Sequence, residues 1–261
     1  MNKEFSVLQQ CLRAAASVAK RRLGKVNYSL KGKANLVTQA DVACQKAILQ
    51  IIKKNFPEHD FLAEENGLKS TGSDWKWVID PIDGTTNYAH TMPHFSVSVA
   101  LAHKNDIVLG GVYDVCMDEL FLARKGKGAT LNGKKIHVSR VRKLQDALLV
   151  TGFPYEREKR MDELLARFKR FILSCHDIRR LGSAALDMCW VAAGRFDGYW
   201  EDCLNPWDIS AGKLILEEAG GKVTDYRGKK WTRLDTFGAQ TLASNGKIHK
   251  EMCDIIKVGS L

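Results

Sequence analysis

Acidic residues stand where an apolar chain ordinarily avoids them. Glu64-Glu65 follows the apolar run Phe61-Leu62-Ala63. Asp80 and Asp83 close the run Trp77-Val78-Ile79, and Asp208 follows Trp207 at the start of a helical pattern. An unpaired carboxylate at the end of a buried strand is costly to desolvate, so these acids need a counter-charge. No lysine or arginine occurs within residues 77–102. A divalent cation is the natural partner, and an oxygen-only donor set without Cys or His selects magnesium or manganese over zinc.

The residues around the acids fit that reading. Pro81 fixes its own φ and removes an N–H, which stiffens the turn and lets Asp80, the Ile82 carbonyl and Asp83 converge. Gly84 permits close backbone approach to a ligand. Thr85 and Thr86 open a short helical turn whose free N–H groups suit a phosphate. Alone, Asp-Pro-x-Asp-Gly also reads as a turn plus a helix cap, and Asp208 alone reads equally as an N-cap. Their joint occurrence favours a metal site combined with a phosphate cradle.

Other motifs fail. Gly128 to Lys135 is one residue short of a P-loop, puts Lys135 where a magnesium-binding hydroxyl belongs, and runs into the strand-like Ile136-His137-Val138. Asn132-Gly133 reads instead as a hairpin turn. His90 and His94 have a helical zinc spacing, but Pro93 lies between them, so both read as polar loop residues. There is no Gly-x-Ser-x-Gly elbow.

The elements that must position the acids follow from periodicity. Phe5, Leu8, Leu12, Ala15 or Ala16, and Ala19 share one face of a helix over 3–22. A second helix, 40–55, carries Ala43, Ala47, Ile48, Ile51 and Ile52 and is stopped by Pro57. Strands are expected at 61–63 and 76–80. Phe95, Val97, Val99 and Leu101 then alternate with Ser96, Ser98 and Ala100. Further strands at 107–114, 119–124, 128–131 and 135–138 give an antiparallel meander. Beyond a seam near residue 140 the pattern alternates: strand 147–151, helix 160–171, strand 176–180, helix 183–193, strand 197–201, helix 208–219 and strand 222–225. Gly220-Gly221 closes the last helix. The expectation is a layered α/β protein with an antiparallel sheet in residues 1–140 and a mixed sheet in residues 141–261, acting as one catalytic unit.

Composition sets the class. The 261 residues are 45% hydrophobic and 27% charged, an ordinary globular balance. No run approaches the roughly 20 apolar residues of a membrane span, and the N-terminus lacks a signal-peptide pattern. Seven scattered cysteines without C-x-x-C argue against disulfides and zinc and favour the cytoplasm. The sequon Asn27-Tyr28-Ser29 carries little weight without a secretory signal. A net charge of +10 favours anionic partners, such as phosphorylated metabolites or nucleic acid, against the plainer reading of a solvated surface.

These blocks together resemble the inositol monophosphatase family of magnesium-dependent, lithium-sensitive phosphatases, its bacterial-type members most of all. Residues 77–87, Trp-Val-Ile-Asp-Pro-Ile-Asp-Gly-Thr-Thr-Asn, match its first signature. Trp207-Asp208-Ile209-Ser210-Ala211-Gly212, continued to Glu218-Ala219-Gly220-Gly221, matches its second. Leu36 to Asp41, Ala63-Glu64-Glu65 and Arg180 to Ala185 match further blocks in the same order.

The resemblance implies an α-β-α-β-α sandwich, usually dimeric. It implies one Mg²⁺ on Glu64, Asp80 and the Ile82 carbonyl, a second on Asp80, Asp83 and Asp208, and a weaker third beside Glu64. Mn²⁺ is an alternative and Li⁺ an inhibitor. It gives Asp41, Glu64, Glu65 and Thr85 catalytic roles, with Thr85 and Asp41 orienting the attacking water. Substrate contacts are expected from Asp83, Gly84, Thr85, Thr86, Ser183, Ala184, Glu201 and Asp208. Lys31 or Lys33 would offset charge near Asp41. The implied substrate is myo-inositol 1-phosphate, which a Glu201 carboxylate suits by accepting two hydroxyl hydrogen bonds. Fructose 1,6-bisphosphate, histidinol phosphate and 3′-phosphoadenosine 5′-phosphate are alternatives. A bisphosphate would need a further cationic pocket. Arg179 and Arg180 could supply one but are expected instead to brace a homodimer interface. A binding role towards RNA or the transcription machinery is the reading from another class, although no RNA-binding motif is present.

Overall fold

The structure, a computed structural model, describes residues 1–25, 28–30, 36–65 and 67–257. Lys31, Lys33 and the sequon Asn27 lie outside the described residues.

The chain begins with α1 (Asn2–Arg22), β1 (Tyr28–Leu30), β2 (Leu36–Thr38), α2 (Gln39–Asn55), β3 (Asp60–Ala63) and β4 (Gly67–Lys69). It continues through β5 (Trp75–Asp83), α3 (Thr85–Ala89), β6 (Ser96–His103), β7 (Asp106–Asp114), β8 (Glu119–Arg124), β9 (Gly128–Leu131) and β10 (Lys134–Lys135). The remainder forms β11 (Leu148–Thr151), α4 (Met161–Ile172), β12 (Asp177–Arg179), α5 (Ala184–Ala192), β13 (Gly198–Asp202), α6 (Pro206–Glu218), β14 (Lys222–Thr224), β15 (Gln240–Ser244) and α7 (His249–Lys257).

Two large sheets result. The first has eight strands in the order β10-β9-β8-β7-β6-β5-β3-β4, and the second five in the order β12-β11-β13-β15-β14. The meander from β5 to β10 is antiparallel, but β3 runs parallel to β5, so the first sheet is not purely antiparallel. The hairpin partner β4 occupies one side of β3, leaving β5 to enter on the other side in the same direction as β3. In the second sheet β11 pairs parallel with β12 and β13, whereas β15 pairs antiparallel with β13 and β14.

Alternation along the strands sorts the side chains into layers. Trp77, Ile79, Val97, Val99 and Leu101 pack with Leu8, Leu12, Ile48 and Ile52 of α1 and α2. The opposite face of the same strands, with Val78, Ala100, Val112 and Phe121, packs with Met188 of α5 and Ile209 and Ile215 of α6. The far face of the second sheet packs Leu149, Trp200 and Leu242 against Phe171 of α4 and Met252 and Ile256 of α7. The order of layers is therefore α-β-α-β-α, with α5 and α6 sandwiched between the sheets.

Local signals set the ends of elements. Asn132 and Gly133 both take positive φ, 48° and 78°, as the two-residue turn between β9 and β10 requires. Gly220 takes φ 94°, and Gly220 and Gly221 donate to Glu217 and Leu216, which closes α6 as a Schellman motif. The strand expected over 135–138 ends at Lys135. The Val138 N–H turns instead to the Ala219 carbonyl at the end of α6, because here the chain crosses towards the second sheet. Strand β15 and helix α7, beyond the last strand expected from the sequence, supply an inner strand and the outer layer.

One buried ion pair ties the outer layer to the second sheet near its acidic end. Arg167 of α4 is 3% exposed and pairs with Asp202 of β13, 2% exposed, and with Glu163 at 2.7 Å. Removing one partner of such a pair leaves a buried charge uncompensated. Arg167→Ala is therefore expected to cost about 3–5 kcal/mol in urea-unfolding stability. A loss below about 1 kcal/mol would place the pair among ordinary surface bridges.

Candidate active site

Strand β5 carries the two central acids, and its irregularity explains how they meet. Residues three apart on a regular strand face opposite sides. Here Asp80 pairs with Ser98 but Asp83 with Ser96, so β5 holds one extra residue over that interval. The bulge accommodates Pro81, which has no N–H to give the ladder, and turns Asp83 back towards the side of Asp80. The Asp80 carboxylate accepts the Ile82 N–H at 3.1 Å, which fixes the bend.

Asp83 reaches across to the α5 end of the other half. Its Oδ2 accepts from Ser183 Oγ at 2.5 Å and from the Ala185 N–H at 2.7 Å. The expected substrate contact Ser183 thus spends its hydroxyl on Asp83, and Ala184 is the neighbour that faces the cavity. Gly84 follows with φ 94°, and a Cβ there would lie 3.2 Å from the Gly182 and His94 carbonyl oxygens, so only glycine fits. Asn87 Nδ2 donates to both His94 O at 2.7 Å and Leu181 O at 2.8 Å. These bonds clasp the Gly84–Thr86 turn to the segment that presents Ser183.

Asp41 arrives from α2. It forms a capping box with Thr38, accepting from the Thr38 N–H at 2.8 Å and hydroxyl at 2.6 Å. Its other oxygen lies 3.2 Å from Thr85 Oγ1, which is also 3.0 Å from the Ile82 carbonyl. The cap that starts α2 therefore delivers a carboxylate to the Thr85 hydroxyl. Glu64 opens onto the cavity. Glu65 does not line it. Its N–H donates to Gln45, and its charge bears on the site through Asp41.

Asp208 belongs to the first turn of α6, where Pro206 stands at the helix start and the Asn205 N–H donates to Asp208 Oδ2 at 2.6 Å. Glu201 lies at the end of β13 and accepts the Tyr199 hydroxyl at 2.6 Å. A Cβ on Gly152 would fall 2.1 Å from a Glu201 oxygen, so the bare glycine makes room for this carboxylate.

Charge at the site is badly compensated. Burial raises Asp80 well above the usual carboxylate range, and Glu64, Asp83, Asp208 and Asp41 push it further. Burial also raises Asp83, against the bonds from Ser183 and Ala185. Asp208 is raised well above its ordinary value by burial, with Asp83, Glu64 and Glu201 adding to it and the Asn205 N–H opposing. Asp41 is raised by burial against its Thr38 bonds. Burial lifts Glu201 to about 8, with the Tyr199 bond opposing and Asp187 adding. Asp208 and Glu201 are each partly open, but only to a cavity walled by protein, so desolvation still dominates.

Mutual repulsion of this kind is what a bound divalent cation relieves, and the donors are oxygens. Among the described residues no three His, Cys, Asp or Glu side chains form a ready-made coordination cluster. A main-chain carbonyl at Ile82 and retained waters, which magnesium keeps readily, fit such an open arrangement.

The acids line a cavity of about 560 Å³, within the range of small-molecule sites. Its outer wall was not legible in the sequence. Phe153, Tyr155 and Arg157 follow β11, Met161 and Leu165 come from α4, and Cys203 follows β13. The one available signal is that the loop starts at the carboxyl end of a strand, where α/β sheets bind ligands. Tyr155 lies on this wall with Thr86, and desolvation raises its phenol. Arg180 lines the cavity, whereas Arg179 is exposed and pairs with Asp177. His94 is not a loop residue in water. It is buried, lies edge-on to Trp190 and stands 3.8 Å from Asp187, and burial lowers its pKa. His90 is exposed.

Comparison with known proteins agrees with this architecture. The sequence profile of the inositol monophosphatase family matches residues 2–257. The chain is similar to an inositol-1-monophosphatase of Synechocystis sp., 46% identical over 85% of this chain and 77% of that one. It is similar to Nus factor SuhB of Pasteurella multocida, 43% identical over 87% of each. Its fold matches the solved structure of an inositol monophosphatase from Anabaena (Nostoc) sp., with TM-score 0.89 and 40% identity over 98% of this chain and 96% of that one.

Proposed function

Because the chain belongs to the inositol monophosphatase family, we propose that it hydrolyses a polyol phosphate monoester, myo-inositol 1-phosphate foremost, with magnesium as cofactor. The observation that carries this reading is the joint placement of Glu64, Asp80, Asp83 and Asp208 around one cavity, beside the Thr85–Asp41 pair.

Glu64, Asp80 and the Ile82 carbonyl would hold one ion, Asp80, Asp83 and Asp208 a second, with a weaker third beside Glu64. Bound there, Mg²⁺ supplies Lewis-acid polarisation of phosphoryl oxygens and lowers the pKa of water. The chain's own groups do the rest. The N–H groups of Gly84 and Thr85 and the Thr86 region receive the phosphate. The Thr85 hydroxyl, fixed between Asp41 and the Ile82 carbonyl, orients the attacking water. Asp41, its pKa raised by burial, lies behind Thr85 rather than on the cavity and would take up that water's proton by way of the Thr85 hydroxyl. Water oxygen bonds to phosphorus, the P–O bond to the polyol breaks, and the departing oxygen takes up a proton. Glu201 and the Ser183–Ala184 backbone address the polyol hydroxyls.

The test is inorganic phosphate release from inositol 1-phosphate, fructose 1,6-bisphosphate and 3′-phosphoadenosine 5′-phosphate, with and without Mg²⁺. Magnesium-dependent release greatest for inositol 1-phosphate is expected. Faster release from another ester would keep the mechanism and change the substrate.

Relatives named Nus factor SuhB favour a second reading compatible with the first: binding of RNA or the transcription machinery through the +10 surface. RNA affinity falling steeply with salt supports it, and no binding at low salt ends it.

A further inference from the structure

Helix α5 is buried along its whole length except at half-buried Trp190, and it contains one carboxyl, Asp187. Asp187 is fully buried, and among the described residues neither of its carboxylate oxygens accepts a hydrogen bond. A buried polar group without a partner is costly, so a lone acid in an apolar helix calls for a reason. Asp187 faces the imidazole of His94, whose Nε2 lies 3.8 Å from its Oδ1 and likewise has no hydrogen-bond partner. Two other buried acids, Asp83 and Asp114, bear on the same imidazole, and both have donors of their own. Asp83 accepts from Ser183 and the Ala185 N–H, and Asp114 from the Cys116 and Met117 N–H groups at 3.0 Å.

The main chain of His94 belongs to the phosphate-binding turn. Its carbonyl accepts Asn87 Nδ2 at 2.7 Å, and the same oxygen would lie 3.2 Å from a Cβ on Gly84, so it forms the wall behind that turn. The His94 N–H donates to the Met92 carbonyl and the Met92 N–H to the Asn87 carbonyl, each at 2.8 Å. Ring, carbonyl and turn are thus one short connected unit. On the ring side, Asp187 and Trp190 stand three apart on one face of α5, and Trp190 meets the imidazole edge-on at 5.1 Å between centroids. The first turn of the same helix supplies the Ala185 N–H that holds Asp83.

We infer that His94 and Asp187 are a positioning pair: α5 grips the imidazole, and the imidazole sets the carbonyl that backs Gly84 and anchors Asn87, so that the phosphate-binding turn is held in place against Asp83. This rests on the phosphatase reading above and extends it to two residues that do not line the cavity. They act through the turn, and a misplacement of reacting groups by about 1 Å costs on the order of a hundredfold in rate.

The experiment measures kcat and KM for inositol 1-phosphate at saturating Mg²⁺ in the wild type, His94→Phe, Asp187→Leu and the double variant, well below the lowest Tm of the four. If another ester of the panel above is turned over faster, it takes the place of inositol 1-phosphate. His94→Phe keeps a ring against Trp190 and removes its nitrogens, and Asp187→Leu keeps the bulk and removes the carboxyl. Each single variant leaves the other polar partner buried and unmatched, and kcat is expected to fall by about a hundredfold. The double variant removes both, and is expected to regain about tenfold or more of that loss, because two apolar groups of matching shape need no partner. A pair that only stabilises the fold would lower Tm in the single variants and leave the kcat of the folded protein unchanged. If Asp187→Leu does not fold, the comparison of His94→Phe with the double variant decides: recovery supports the pair and further loss overturns it. Unchanged kcat in both single variants, or losses that simply multiply in the double variant, overturns the positioning pair and leaves the phosphatase reading standing. No magnesium-dependent release by the wild type from any ester of the panel overturns that reading and the pair with it.

Discussion

Replacing Asp80 by Asn is expected to cut magnesium-dependent phosphate release by about three orders of magnitude, the rate equivalent of several kcal/mol of lost metal-assisted stabilisation. The same substitution is expected to make the metal-free protein more stable. Asp80 is 2% exposed, and its carboxylate faces repulsion from Glu64, Asp83, Asp208 and Asp41. Asn removes one charge from that group while its amide oxygen still accepts the Ile82 N–H that fixes the bulge. The gain is expected at neutral pH, where the unfolded chain carries the Asp80 charge in water and the folded chain must bury it among like charges. Addition of Mg²⁺ should then reverse the order, because an ion that binds only the folded state stabilises the wild type by mass action and the variant less. Two melting curves for each protein, with chelator and with Mg²⁺, read this crossing. A variant that melts below the wild type in chelator would mean that Asp80 is already compensated without metal, and the electrostatic case for the site would fail.

The parts of the site legible in the sequence are those in which one residue has two consequences. Asp80 and Asp83 were legible because Pro81 between them cannot serve the middle of a regular strand, and the bulge in β5 is the structural form of that conflict. Asp41 is reached only through the family resemblance, although the structure shows that Thr38 and Asp41 form the capping box that starts α2. Asp208 also reads as an N-cap in the sequence, but the cap is Asn205 and Asp208 stands at the third position of α6, where its carboxylate accepts the Asn205 N–H, because Pro206 already opens the helix. The outer wall gave no such signal. Phe153, Tyr155 and Arg157 lie in a loop with no periodicity, and they come close to Thr86 and Glu201 only because β11 and β13 lie side by side. Strand β15 was missed because Thr241, Leu242, Ala243 and Ser244 are all buried, so no alternation of polar and apolar types marks an inner strand. His94 was misplaced for a related reason: its spacing from Pro93 tells of the turn but not of α5, which packs Asp187 and Trp190 against it.

Glu201→Gln is expected to change how stability depends on pH, and the sign follows from the direction of the shift. Burial, with Asp187 and Asp83 adding and Tyr199 and Arg180 opposing, lifts this carboxyl from an ordinary 4.5 to about 8. Between those values the folded chain holds a proton that the unfolded chain has released, so stability falls as pH rises across that window. The loss is absent below about pH 4.5, complete above about pH 8, and worth up to a few kcal/mol. Gln is neutral throughout, still accepts the Tyr199 hydroxyl, and avoids the loss. In metal-free protein the two Tm values should nearly coincide at pH 5, and the variant should lead by several degrees at pH 9, at about 2–4 °C per kcal/mol for a chain of this size. Parallel Tm curves would show that the Glu201 carboxyl titrates in its ordinary range. Catalysis supplies an independent reading of the same group. If the ionised carboxylate receives two polyol hydroxyls, kcat/KM for inositol 1-phosphate should climb with pH in the wild type, and the climb should vanish in the variant. Mg²⁺ would move the wild-type midpoint downward, because the positive charge answers the Asp83 carboxylate that helps hold Glu201 protonated. A midpoint indifferent to Mg²⁺ would separate Glu201 electrically from the acids of the β5 bulge and remove it from the set of residues that share the substrate.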